Sequence, residues 1–452
     1  MNSINPNQPT PKHSNRGGIF LFLLAILLYG KGFAQIASEA MNLEACIAYG
    51  LEHSPTLSKA RMDEAIAKKD VNIALASGLP QIEGQADIQN NFELPVFVLP
   101  GENGEPQSIP FGLPWQASAG MTVNQLVFDG KFFLGLKAAK TLEELTQIST
   151  QRGREQVAFD VSRAYYMVLV SEERLTQLEA NLERVEKLYQ ETDALHREGF
   201  AEKLDVERLE INLNNLKAEK DQLAQLIPVN EAVLKFQMGM SVDSSLELVK
   251  ELGEFEAARL SLEDQAMYDP RNRLEYQALE TQRALETLNM RRYKVDFLPN
   301  LYAFGNYAWN WQWDAQQDFS FQTGTVGLQL NVPIFDSFRK TNEIQKARIN
   351  VDKINRDMET LVNSSQLEFR QSLTSLNNSL SRLESQEKNK ILADKVYRIS
   401  RIKYTEGVGS SLEVNEAETQ LKQSESLYLN SLLEFILAKL ELDKLRGVFR
   451  SY

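Results

Sequence analysis

The feature of this sequence that most constrains its fold is an internal repeat. The tripeptide Val127-Phe128-Asp129 returns as Ile334-Phe335-Asp336, and Glu198-Gly199 returns as Glu406-Gly407, roughly 200 residues later. Each copy contains a short helix, a Leu-Pro pair, two alternating segments and two very long helices around a Gly turn, in this order. Such a repeat uses one supersecondary unit twice, so the two copies have to be interpreted together. This constraint excludes most enzyme folds.

Two segments in each copy alternate between apolar and polar residues with the period of two that is typical of β-strands. They predict four strands, at residues 80–92, 117–128, 299–313 and 320–335. In the first strand, one face holds Ile82, Gly84, Ala86 and Ile88, and the other holds Gln81, Glu83, Gln85, Asp87 and Gln89. The second copy keeps the same phase, with Leu301, Ala303, Gly305, Tyr307 and Trp309 on the apolar face of its first strand. The polar face is therefore expected to contact water.

The length and the two different faces of these strands are typical of transmembrane β-strands. Trp309, Trp311 and Trp313 share one face, as an interfacial aromatic girdle would. Four strands cannot close a barrel, because even small barrels need about eight. Open strand edges are not tolerated in lipid, so several chains would have to share one barrel. The alternative is a soluble sandwich that buries the apolar face.

The segment between the first two strands, from Glu93 to Trp115, contains five prolines. This density of proline predicts an irregular external loop rather than more sheet.

Each strand pair is followed by two predicted helices. Residues 130–197 and 338–404 contain no proline and carry heptad-like apolar positions, so each predicts a rod of roughly 100 Å. A return helix follows each rod, and in the first copy Pro228 is expected to interrupt it before its end near Met238. Helices of this length need a neighbour along their whole length, so the hairpins are expected to pack side by side.

Residues 1–34 have a basic start, a short apolar run and small residues before position 35, which predicts a secretory signal peptide. The formal net charge of −13 argues against a nucleic-acid partner. Cys46 is the only cysteine and the three histidines are scattered, so we expect no disulfide, no metal site and no cofactor. No acid, base and nucleophile can be grouped, and the sequence therefore does not predict an enzyme.

Several short motifs, taken in order, resemble the TolC-like outer-membrane efflux proteins across residues 41–447. The motifs are Leu43-Glu44-Ala45-Cys46-Ile47-Ala48, Ser54-Pro55, Leu79-Pro80, Leu298-Pro299, Phe128-Asp129, Phe335-Asp336, and the two turn sequences from Arg197 to Val206 and from Tyr404 to Val414. The resemblance implies an α+β fold of two tandem repeats, at residues 41–240 and 265–447. It also implies a homotrimer with a shared 12-stranded β-barrel above a long barrel of twelve α-helices.

The resemblance further implies a trimeric outer-membrane channel that serves as the exit duct of a tripartite efflux pump for small molecules. Its strands would contact outer-membrane lipid and its helices would lie in the periplasm. A periplasmic adaptor protein and an inner-membrane transporter would be its partners. Two alternatives stay open, which are the exit duct of a type I secretion system and a periplasmic coiled-coil scaffold that forms no channel.

Site residues follow from the resemblance by position. Asp205 and Tyr404 would be latch partners that close the periplasmic end, and Glu413 and Glu416 would form an acidic ring. The alternative for Glu413 and Glu416 is an ordinary solvated helix face. The latch arginine of the family has no counterpart, because Gly409 occupies its position. The two turns, which would dock the adaptor, contain Gly199, Phe200, Gly407, Val408 and Gly409.

Overall fold

The computed structural model describes residues 40–100, 106–249 and 268–452. The predicted signal peptide lies outside these ranges. The first repeat contains α1 (Leu43–His53), α2 (Pro55–Ala76), β1 (Gln81–Asn90), β2 (Val96–Pro100), β3 (Pro106–Pro110), β4 (Trp115–Phe128), α3 (Gly130–Arg197) and α4 (Lys203–Met238). The second contains α5 (Leu274–Val295), β5 (Asn300–Trp313), β6 (Asp318–Asn331), α6 (Arg339–Thr405) and α7 (Ser411–Arg446). A short 3-10 helix at Pro270–Asn272 precedes α5, and another at Val448–Ser451 follows α7.

The repeated motifs mark the ends of these elements. The carboxylate of Asp129 accepts a hydrogen bond from the N–H of Lys131 at 2.7 Å and caps α3, and that of Asp336 accepts one from the N–H of Lys340 at 3.1 Å at the start of α6. A capping carboxylate satisfies an N–H group that the helix itself leaves without a partner. The Phe-Asp motif therefore starts a rod in both copies, and in the first copy Phe128 also ends a strand.

The four long strands form one antiparallel sheet in the order β1-β4-β5-β6. Its register places Ile82 beside Val123, Val123 beside Gly305, and Gly305 beside Val326. Because paired residues of neighbouring strands point to the same side, the apolar faces of all four strands coincide, in agreement with the predicted phase. In the described part of the chain this face is uncovered, since Val326 is 88% exposed. Within the described ranges, no second sheet packs on this face as it would in a soluble sandwich.

Three local predictions are wrong. The first concerns the proline-rich segment after β1, which contains the antiparallel hairpin β2–β3 instead of an irregular loop. Its prolines stand at strand ends, where Pro100 pairs with Pro106 and Val96 with Pro110, and the β-forming residues Phe97 and Val98 lie between them.

The second concerns Pro228, which lies inside the continuous helix α4 rather than interrupting it. Its side chain is exposed, and buried Ile227 and Leu234 hold the helix against its neighbours on either side of the proline. The third concerns β6, which ends at Asn331 rather than at residue 335. Pro333 follows and has no N–H to continue the ladder.

The helices lie side by side in an order that continues the sheet. Near the sheet the order is α2-α3-α5-α6, which matches β1-β4-β5-β6, and further away it is α4-α3-α7-α6. The main apolar core surrounds the middle of α3 and contains Ile47, Val161, Leu234 and Ile436. Cys46 lies in the same core, where burial raises the pKa of its thiol to about 12. Of the helices in the described ranges, none is both long and apolar enough to cross a lipid bilayer.

Candidate gate at the helical tips

The two helical hairpins end in turns, called here the tips, at residues 198–202 and 406–410. Gly199 has φ 82° and Gly407 has φ 74°, the left-handed region in which glycine is favoured. Open space surrounds both residues, and the neighbouring side chains of Phe200 and Val408 are 82% and 78% exposed. The backbone of Gly409 turns against Lys403, whose carbonyl accepts its N–H at 3.0 Å. Each tip therefore presents one large apolar side chain to solvent.

Tyr404 joins the two hairpins. Its hydroxyl lies 3.1 Å from the hydroxyl of Thr192 in α3, and its ring packs on a small cluster of Leu188, Leu209 and Val414. These three side chains come from α3, α4 and α7, so the cluster fastens both hairpins close to the tips.

Asp205 lies in the first turn of α4, where a carboxylate favours the positive end of the helix dipole. Its carboxylate forms an ion pair with Arg208 of the same helix, with 3.8 Å between Oδ1 and Nη1. In the described part of the chain the structure does not bring Asp205 and Tyr404 together, since Thr192 takes the bond of Tyr404. Their pairing in a latch stays a prediction.

Glu413 and Glu416 lie in the first turns of α7. The hydroxyl of Ser410 accepts the N–H of Glu413 at 3.2 Å and caps this helix. Both carboxylate side chains are exposed, and their spacing of three residues places them on one side of the helix. A ring of them needs other copies of the chain, so the acidic ring also stays a prediction.

An ion pair that the sequence did not reveal lies beside Tyr404. Arg401 of α6 donates from Nη2 to both carboxylate oxygens of Glu191 in α3, at 2.6 and 2.5 Å. Its guanidinium also lies 5.9 Å from the centre of the Tyr404 ring. Arg401 thus places a guanidinium one turn before Tyr404. The spacing of three residues between Arg401 and Tyr404 was the available signal.

A second charged cluster lies about 20 Å from the end of α3. Nε of Arg184 in α3 donates to Glu418 of α7 at 3.0 and 3.2 Å, and Nη2 lies 3.5 Å from Glu425. Arg184 also donates to the side-chain oxygen of Asn181 and stacks over Tyr397 of α6 at 5.6 Å. The side chain of Glu418 is only 3% exposed, and this burial raises its pKa to about 7 in spite of Arg184.

Further polar contacts link α4 to α7 in the same half of the molecule. Asn212 donates to Asn415 at 2.9 Å, and Lys422 donates to Glu219 at 2.6 Å. Polar partners can exchange with water at small net cost, whereas a buried apolar contact is lost outright. The links between α4 and α7 in the tip half are therefore more polar than the apolar core around the middle of α3.

The described ranges hold no group of three or more side chains suited to a metal ion. The site is thus an arrangement of helix ends, polar links and exposed apolar side chains. The described ranges thus form an α+β fold of one class, in which four strands continue into four side-by-side helices.

Comparisons with known proteins agree with this class. Residues 271–448 match the family model described as outer membrane efflux protein. The structure is similar to that of VceC from Vibrio cholerae, with a TM-score of 0.69 and 16% identity over 90% of this chain and 96% of the other. It is similar to CmeC of Campylobacter jejuni, with a TM-score of 0.70 and 15% identity over 98% and 94% of the two chains.

A third similar structure is the open state of MtrE of Neisseria gonorrhoeae, with a TM-score of 0.68 and 16% identity over 90% and 88% of the two chains. No curated protein has a matching sequence. The resemblance of this chain to the TolC-like outer-membrane efflux protein family is confirmed.

Proposed function

We propose that three copies of this chain form an outer-membrane channel that serves as the exit duct of a tripartite efflux pump for small molecules. The observation that carries this proposal is that, within the described ranges, the chain has two free lateral edges in its sheet and along most of its helical part. Near the tips, α4 also contacts α7 and α6 also contacts α3. One edge consists of β1, α2 and α4, and the other consists of β6 and α6. A subunit with complementary open edges closes into a ring by repeating around an axis.

The residues along these edges support the same conclusion. Large apolar side chains are exposed on helices of both edges, although such surfaces are rarely left uncovered in soluble monomers. They include Met62, Ile66, Ile73, Ile211, Val229 and Phe236 on α2 and α4, and Ile349, Leu367, Ile391, Ile399 and Ile402 on α6. The sheet edges carry unpaired N–H and C=O groups that a strand of the next copy would satisfy.

The number of strands supports three copies as the smallest ring with an open bore. Two copies would give eight strands, which close only a barrel filled by side chains, whereas three give twelve and leave an open bore. Three is also the number implied by the resemblance to the TolC-like proteins.

The sheet has the surface that a bilayer requires. Val326, Leu328 and Leu330 form an exposed apolar band below Trp309 and Trp311 on the same face. At the outer end the rings of Trp115 and Trp313 stack at 5.9 Å. An apolar band next to an aromatic girdle is typical of lipid-facing barrel surfaces. The helices would then extend roughly 100 Å into the periplasm.

The tips are the proposed docking site for a periplasmic adaptor, which would link the duct to an inner-membrane transporter. Replacing Gly407 with Leu would place a bulky side chain on the tip at a backbone angle that favours glycine. We expect crosslinking to the adaptor and drug resistance to fall while the trimer persists. Gly407→Ala is the matched control, because it brings the same backbone strain with a single methyl group. Normal crosslinking in Gly407→Leu would refute docking at this tip.

The duct itself is tested by conductance of the purified protein in a planar bilayer. We expect small, cation-selective steps, because a ring of carboxylates attracts cations. Glu413→Gln combined with Glu416→Gln should reduce the cation selectivity. The control is Glu434→Gln combined with Glu441→Gln, which removes the same charge from α7 about 30 Å further from the tips.

The bilayer experiment, together with deletion of the gene, separates the efflux duct from the scaffold and from the type I secretion duct. Unchanged selectivity in the first double variant would keep the duct and discard the acidic ring. Folded trimeric protein that never inserts would favour a non-channel scaffold. Efflux of small molecules unaffected by loss of the gene, with loss of a secreted protein instead, would favour a type I secretion duct.

A further inference from the structure

The cluster of Arg184, Glu418 and Glu425, called here the Arg184 cluster, differs in its balance of charge from the ion pair of Arg401 and Glu191 near the tips. Two carboxylates of α7, Glu418 and Glu425, are one heptad apart and converge on the single guanidinium of Arg184 in α3. Neither carboxylate lies in a solvated position, since their side chains are 3% and 14% exposed. With both ionised, the cluster holds one more negative charge than positive.

The surrounding groups do not remove this excess. On α6, Asp394 is paired with Arg398 at 2.9 Å, and Arg401 is paired with Glu191 of α3. Lys390 of α6 and the amide of Asn181 favour the ionised form of Glu425, but burial opposes it more strongly, so the pKa of Glu425 is raised. Asn181 and Tyr397 add only neutral groups, and on α4 Glu219 is balanced by Lys422.

We propose that Arg184, Glu418 and Glu425 form a proton-responsive clamp between the two helical hairpins, which tightens when a carboxylate takes up a proton and loosens when both are ionised. This inference rests on the proposed channel. The clamp would set how readily the tips separate. The proton comes from solvent and adds to a carboxylate oxygen, and Arg184, 26% exposed, gives water a route to it.

The burial of Glu418 gives the direction of the response. Burial raises the pKa of Glu418 to about 7, and repulsion from Glu425 adds to this effect. In separated hairpins Glu418 would be hydrated, with an ordinary pKa near 4.5. The packed state therefore binds the proton more tightly than the separated state. Its stabilisation is complete below about pH 4.5 and is lost as the pH rises through about 7.

The clamp therefore predicts a channel that opens more readily at alkaline pH. Between pH 5.5 and 8.5 we expect the opening equilibrium in a planar bilayer to rise by about thirtyfold, because pH 5.5 lies about 1.5 units below the packed-state pKa of about 7 and each unit corresponds to a factor of ten.

Three substitutions shift this response in different ways. Glu418→Gln keeps an acceptor for Arg184 without the charge, so the open fraction should stay low and independent of pH. Glu425→Gln removes the repulsion, so the rise should move to lower pH. Arg184→Gln removes the shared cation, so the rise should move to higher pH. Glu387→Gln, an exposed glutamate of α6 three residues from Lys390, is the matched control and should keep the wild-type profile.

The clamp is overturned if Glu418→Gln keeps the wild-type profile, or if the open fraction falls as the pH rises. A second measurement does not depend on a channel. Hydrogen exchange of the last turns of α3 and α6, corrected for intrinsic rates, should increase from pH 5.5 to 8.5 in the wild type but not in Glu418→Gln. This result without any conductance would sink the proposed channel and leave the clamp, whereas equal exchange in both proteins would sink the clamp.

Discussion

The rods α3 and α6 occupy the same place in their repeats, yet their surroundings differ. They are 68 and 67 residues long and both run from a Phe-Asp motif to a Gly tip. Helix α3 lies in the middle of the chain's fold and contacts α1, α2, α4, α5 and α7. Helix α6 packs along α5 and α7, contacts α3 only towards the tips, and leaves a row of isoleucines and leucines exposed. The repeat therefore copies topology but not burial, and we propose that the next subunit packs on the unburied copy.

The largest expected effect is a difference in the free energy of unfolding between a variant of α3 and a matched variant of α6. Leu169 in α3 is 3% exposed, whereas Leu367 in α6 is 57% exposed. Leu169→Ala should lower the free energy of unfolding by about 2–5 kcal/mol, the usual range for a buried Leu. Leu367→Ala should change it much less. Denaturant unfolding followed by far-UV circular dichroism measures both, and equal losses would remove the distinction between a central and an edge rod.

The second prediction concerns assembly. Ile391 of α6 is exposed in the single chain. In the proposed trimer it would be buried against the next copy. Ile391→Asp should abolish the trimer in detergent and leave the helical content intact, because an unpaired carboxylate is costly to bury. Light scattering after gel filtration gives the mass. A trimer that survives Ile391→Asp would show that this face of α6 is not an interface, and Ile391→Leu should remain trimeric.

The third prediction compares an ion pair that joins the two rods with one inside a single rod. Arg401→Gln breaks the link to Glu191, and in a double-mutant cycle with Glu191→Gln we expect a coupling of about 1 kcal/mol. It should also raise the open fraction. Arg356→Gln removes a pair with Glu359 in which both side chains are exposed, and should have no measurable effect on either quantity. Equal behaviour of the two variants would contradict a gating role for Arg401.

The smallest expected effect concerns the two tips, where the two copies of the repeat have equivalent glycines. Gly199 and Gly407 share the left-handed conformation and the open surroundings. Gly199→Ala and Gly407→Ala should each cost about 1 kcal/mol locally, read as faster hydrogen exchange at that tip only. A clear inequality would show that the tips have different roles even though the repeat preserves them.

Much of this architecture follows from local patterns in the sequence. The period of two gives the faces of the strands, because each strand keeps one face apolar. The capping residue Asp129 and the turn residue Gly199 mark both ends of α3, since each satisfies a backbone requirement that few other residues meet. These features act within a few residues and can be seen without a structure.

The features that sequence analysis missed depend on distant contacts or on context. Arg184 and Glu418 are 234 residues apart, and neither has a neighbour in sequence that indicates the other. Pro228 was expected to break α4, but packing of its buried neighbours outweighs the lost hydrogen bond. The prolines of β2 and β3 suggested a loop because their position at strand ends depends on the pairing itself.

The central claim is that the two edges of one chain meet the edges of its copies in a closed ring of three. We would introduce Gln85→Cys in β1 together with Thr323→Cys, Thr325→Cys or Gln329→Cys in β6, all on the polar face. The buried Cys46 is the only native cysteine, so it should not interfere. Gln85→Cys with Leu328→Cys, which point to opposite faces, is the control. The account predicts that oxidation of at least one pair in the outer membrane gives a covalent ladder that stops at three chains. Monomers alone for every pair, or a ladder that continues beyond three chains, would contradict it.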